Sequence, residues 1–148
     1  MTHLKSLVFL ATAGLLGLAS TSLLAHAGEN HEAQKPANGG QVRVAGGYHF
    51  ELVVAKDNRE VKDSPVVIHV TDQAGKKVQT AGASGTATIL AGRLKSTVTL
   101  VPDGDNRLKG AAKYASTPDM KVVVSIGLPG TPAEQARFTP FAAAPGGI

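Results

Sequence analysis

His49, Glu51 and His69 are the residues whose types and placing point to chemistry in this chain. Imidazole and carboxylate together suit a divalent ion such as Zn(II), Cu(II) or Ni(II). Other chemistries lack their reagents. The chain has no Cys, so thiol nucleophiles, thiolate ligands and disulfides are all ruled out. Met120 is the sole methionine besides Met1, which removes a Met-rich Cu(I) site. Ser64, Ser84, Ser96, Ser116 and Ser125 stand in no nucleophile-elbow sequence. The acidic residues Asp57, Asp63, Asp72, Asp103 and Asp105 sit mostly in turn-forming stretches, where Asp bends and caps a chain. Asp103-Gly104-Asp105-Asn106 resembles part of a calcium loop, but its glycine and the distal Glu are misplaced for an EF-hand, so it reads as a turn. We therefore expect no enzyme and no catalytic residue.

Bringing the three residues together is a question of strand register. Tyr48, Phe50, Leu52 and Val54 occupy alternate positions, as do Val66, Ile68 and Val70, the period of two that marks half-buried strands. With those side chains inward, His49, Glu51 and His69 face outward. The polar segment Lys56 to Pro65 between the two runs makes an antiparallel hairpin the simplest connection. A loop centred near Glu60 sets Glu51 opposite His69 and leaves His49 on the diagonal. Direct cross-strand neighbours lie about 5 Å apart and same-face diagonal ones about 7–8 Å, within reach of a shared ion. The competing reading is an ordinary solvated face on which Glu51 and His69 form only a cross-strand polar pair. His31, beside Glu32, precedes the strands and is expected to be part of a free polar segment.

The rest of the chain continues in the same style. Thr86 to Leu90, Ser96 to Val101 and Lys121 to Leu128 are runs rich in Val, Ile and Thr, and Gln41 to Val44, Leu108 to Lys113 and Gln135 to Thr139 are shorter candidates. Turn chemistry at Asp57-Asn58, Asp72 to Gly75, Ala91-Gly92, Pro102 to Asn106 and Pro129 to Pro132 separates them. No segment shows a sustained helical period. The expected fold is all-β: a small antiparallel β-sandwich of about seven to eight strands, Ig-like in architecture but without a disulfide or a buried Trp, with a small barrel as the other solution. Phe50, Leu52, Ile68, Val98 and Val124 are the expected core. Thr80 to Thr86 is small and polar with two glycines, but no helix-forming run and no Lys follows, so it reads as a connection and not a phosphate loop.

Residues 1–27 have the form of a secretory signal: Lys5 near the start, an uncharged apolar stretch from Leu7 to Leu24, and Ala25-His26-Ala27 offering small residues to a signal peptidase. Cleavage is expected after Ala27, which excludes a stable membrane anchor in the mature protein. Residues 28–40 read as a flexible leader, 41–141 as the β domain and 142–148 as a disordered tail. Without Lys5 the net charge falls from +4 to +3, and the remaining cations are scattered without interleaved aromatics. That pattern is solvated surface, not a nucleic-acid face.

Gly39-Gly40-Gln41-Val42, Gly46 to Val53, Val70-Thr71-Asp72, Gly75-Lys76 and Thr80 to Gly85 together resemble small periplasmic proteins, and related N-terminal extensions, that accompany heavy-metal efflux adaptors of resistance-nodulation-division pumps. The likeness runs from Gly39 to Phe138. It implies a Gram-negative periplasm, metal homeostasis and efflux-system proteins as partners. It supplies no ligand set, so His49, Glu51 and His69 rest on strand geometry alone. The reading is a periplasmic, non-catalytic binding module that handles a divalent metal or assists a metal-efflux assembly. The alternative is a metal-free structural or protein-interaction domain.

Overall fold

The computed structural model describes residues 34–143. The signal segment, His31 and the end of the tail lie outside the described residues. Eight strands follow in order: β1 (Gln41–Ala45), β2 (Tyr48–Val54), β3 (Lys62–Asp72), β4 (Ser84–Ala91), β5 (Leu94–Pro102), β6 (Arg107–Tyr114), β7 (Lys121–Gly127) and β8 (Glu134–Phe138). Every run expected from alternation forms a strand, and all pairings are antiparallel.

The strands lie in the order β1-β2-β3-β6-β5-β4-β7-β8. The hairpins β4–β5–β6 form a block, with β7 returning beside β4 and β3 lying beside β6. Both returns are Greek-key crossovers. The sheet curls until its two edge strands come together. At one end of that seam the Gln41 side chain donates to the Thr139 carbonyl at 3.3 Å and accepts from the Thr139 amide at 2.8 Å. The fold is all-β and antiparallel with eight strands, as expected, and its nearly closed sheet is barrel-like rather than clearly a sandwich. β5 and β6 pair at Val101↔Lys109 and Pro102↔Leu108. Gly110 permits their close approach, because a Cβ there would lie 2.7 Å from the Thr99 carbonyl oxygen.

Alternation places the core. Phe50, Leu52, Ile68 and Val124 are buried as expected, joined by Val66, Val70, Ile89, Leu100, Leu108, Tyr114, Met120, Val122, Ile126 and Phe138. Val98 is the exception. It packs against the core but is only partly buried, beside Gly110 of β6.

Strand β3 starts earlier than expected and contains Pro65, which the sequence places in the loop. Pairing with β2 ends at Val54↔Val66, so β3 has one partner, β6, at Pro65. A proline without its N–H is tolerated in such an edge-like position. Its carbonyl is not left open: the buried Tyr114 hydroxyl donates to it at 2.6 Å and accepts from the Ala55 amide at 2.9 Å. Burial pushes the Tyr114 phenol above its ordinary value, against the hydrogen bonds with the Ala55 amide and Ser64. Asn58, Ser64 and Ser116 complete the network beneath the β2–β3 loop.

Candidate functional site

The β2–β3 pairing sets Glu51 directly opposite His69 and His49 opposite Thr71, the register expected from the sequence. Neighbouring strands extend these pairs into rows. Val42, Glu51, His69 and Arg107 form one row across β1, β2, β3 and β6; Val44, His49 and Thr71 form the next. The β6 member of the first row was not legible beforehand, since β3 and β6 are separated in sequence by the β4–β5 hairpin.

This outer face is covered. Residues 34–40 cross it as a strap, and the turns at Asp72–Lys77 and Asp103–Arg107 rise beside it. Together they flank a partly open cavity of about 440 Å³ lined by His49, Glu51, His69, Lys77, Arg107 and Gln34, among others. Glu51 therefore differs from the solvated outward residue expected: it is only 6% exposed. One carboxylate oxygen accepts from the Asn38 amide at 2.8 Å and the Gly40 amide at 3.0 Å; the other accepts from the Asn38 side chain at 2.9 Å. Gly40 must be glycine for this approach, because a Cβ would collide with the Leu52 carbonyl. The described part of the expected flexible leader is thus held to the sheet by a buried carboxylate. Polar composition and Pro36 gave no sign of this, since the partner lies thirteen residues on, in β2.

Electrostatics follow from this cover. Burial pushes the Glu51 carboxyl up, but hydrogen bonds from Asn38 and Gly40, with the nearby His69, more than offset it and hold the group below 4.5. Glu51 is ionised at neutral pH. His69 is pushed below 6.5, first by burial, with Arg107 and Lys77 adding to it against the pull of Glu51 and Asp105. Both burial and the neighbouring cations thus favour the neutral imidazole. His49 Nδ1 lies 3.1 Å from the Asp72 carbonyl oxygen. A carbonyl only accepts, so this contact is a hydrogen bond when Nδ1 carries the proton. In that tautomer Nε2 holds a free lone pair, the state in which a metal-ligating histidine is oriented by a backbone oxygen.

The cations on the wall are largely engaged. Lys77 pairs with Asp105 at 2.7 Å. Arg107 donates to the Asp103 carbonyl at 3.0 Å and stands 3.7 Å from its carboxylate. Asp105 takes a left-handed backbone, φ 49°, which Asp tolerates better than most residues. Its carbonyl accepts from Thr80, whose buried side chain also donates to the Arg107 carbonyl at 2.7 Å. The Thr80 stretch is thus a connection, as expected, and the Asp103 to Asn106 segment is a turn, with Arg107 donating to the Gly104 carbonyl.

His49, Glu51 and His69 share this cavity but are not assembled around one point. Among the described residues no three His, Cys, Asp or Glu side chains are grouped so as to hold a metal ion. His49 stands opposite Thr71, in the row next to the Glu51↔His69 pair, and both Glu51 oxygens accept hydrogen bonds from the strap. Comparison with known proteins finds no matching family model, no similar curated protein and no similar solved structure.

Proposed function

We propose that this chain is a non-catalytic binding module of the periplasm whose cavity over β2 and β3 handles a divalent metal. One observation carries the reading: His49, His69 and the Glu51 carboxylate line a single cavity. Zn(II), Cu(II) and Ni(II) fit that donor set. The resemblance to efflux-associated periplasmic proteins makes a metal-efflux assembly the natural setting. Export, with cleavage after Ala27, belongs to the same proposal.

A second reading is favoured by the hydrogen bonding of Glu51. Its oxygens are fully employed within the fold, which is what a metal-free structural or interaction domain requires. Calorimetric titration of residues 28–148 with Zn(II), Cu(II) and Ni(II) separates the two. The metal reading expects saturable binding that weakens as pH falls through the histidine range, because protonated imidazole cannot ligate. His69→Ala should reduce affinity far more than His31→Ala. Absence of saturable binding, or equal losses from the two changes, leaves the interaction domain.

A further inference from the structure

We infer that the cavity over β2 and β3 also admits a small organic dicarboxylate, held by Arg107 and Lys77. The inference stands apart from the metal reading, because it draws on the cations of the cavity wall and needs no grouped ligands. A space of about 440 Å³ lies within the roughly 300–1,000 Å³ of ordinary small-molecule pockets. It is larger than a lone ion requires. Lys35, Lys77 and Arg107 line it, against the carboxylates of Glu51 and Asp105. Glu51 is turned to the strap, where both its oxygens accept hydrogen bonds from Asn38 and Gly40, and only 6% of the residue is exposed.

Arg107 stands opposite His69 in the β3–β6 register. Its hydrogen bond to the Asp103 carbonyl and its approach to the Asp103 carboxylate both fall on one nitrogen, Nη2. A guanidinium carries its N–H donors in a planar fork, so the rest of the fork is unengaged among the described residues. That fork matches a carboxylate with two parallel hydrogen bonds. Lys77 supplies the second point, and it meets the Asp105 carboxylate at 2.7 Å. Arg107 and Lys77 both lie near enough to His69 and Asp105 to act on their charges, so the two cations share one region. Asp103 and Asp105 thus present two carboxylates to these two cations, and the turn itself stands in for a diacid. The hold is weak. All four side chains are between 44% and 65% exposed, and ion pairs so exposed contribute little. A diacid entering the cavity takes over the two cations, and Asp103 and Asp105 return to water.

Calorimetric titration of residues 28–148 with succinate, without added metal, tests this. The expected result is one saturable site whose affinity falls with added salt. Acetate, with one carboxylate, and inorganic phosphate should bind about tenfold more weakly. Arg107→Gln should weaken succinate binding by about tenfold or more, because a bidentate charge-assisted contact is lost. Asp103→Asn should tighten it severalfold, because a competing carboxylate is removed, and a misfolded variant gains no affinity. Absence of saturable succinate binding overturns the inference. Equal binding of acetate or phosphate also overturns it, by making the wall a general anion surface. Unchanged affinity in Arg107→Gln, or weaker binding in Asp103→Asn, does the same. Zn(II) is absent from these titrations, so the metal reading stands or falls on its own experiment.

Discussion

At the residue scale one carboxylate and two imidazoles line the cavity over β2 and β3. Glu51→Gln tests the carboxylate. The amide retains one acceptor oxygen but turns an NH2 group toward a donor it cannot bond, so both the strap and the fold should weaken, by about 1–3 kcal/mol for polar groups left without partners. Urea unfolding of the two proteins at pH 7 measures the difference. The pH dependence has a definite sign. Glu51 is depressed in the folded state, so its contribution is complete above about pH 4.5 and is lost as pH falls through the lowered folded value. His69 is also depressed, in the field of Glu51, Arg107, Lys77 and Asp105. Its contribution is complete above about pH 6.5 and is lost as pH falls through its own lowered value. Unfolding midpoints should therefore decline in two stages on acidification, with the upper stage absent in His69→Ala.

At the element scale the β2–β3 hairpin does the positioning. Phe50, Leu52 and Val54 bury one face, and that burial alone decides that His49 and Glu51 point the other way. Phe50→Ala should destabilise the protein by about 3–5 kcal/mol through lost burial and the cavity left behind. A thermal melt matching the parent would contradict the observed register. The far end of the hairpin depends on Tyr114, which ties the Ala55 amide and the Pro65 carbonyl together where β2 has ended. Tyr114→Phe keeps the packing and removes both bonds, and should cost about 1–3 kcal/mol in denaturant unfolding. The hairpin register was readable because both strands alternate cleanly and the polar segment between them is centred near Glu60. The seating of Tyr114 was not, because its partners are separated from it by 49 and 59 residues.

At the scale of the whole molecule, eight strands without a disulfide enclose one core, with the cavity on the outside of the sheet and not within it. The cover over the cavity comes from three separate parts of the chain: the strap before β1, the turn after β3 and the turn before β6. Export sets the remaining expectation at this scale. Intact-mass measurement of the protein recovered from the periplasm should give a chain beginning at Gly28; retention of residues 1–27 would contradict cleavage at the Ala25-His26-Ala27 site.

Local pattern determined what depends on neighbours along the chain. The period of two located β2 and β3, runs rich in Val, Ile and Thr between turn residues located the other strands of the described residues, and the hairpin set Glu51 against His69, because these signals act between neighbours along the chain. Tertiary structure decided the rest. Curling the sheet to join Gln41 with Thr139 made a barrel-like closure where sandwich and barrel share the same strand pattern. The β3–β6 crossover brought Arg107 beside His69, and a buried acceptor in β2 captured a leader whose composition reads as loose. Such long-range partners leave no periodic trace in a single sequence, because their selection depends on which strands come to lie side by side.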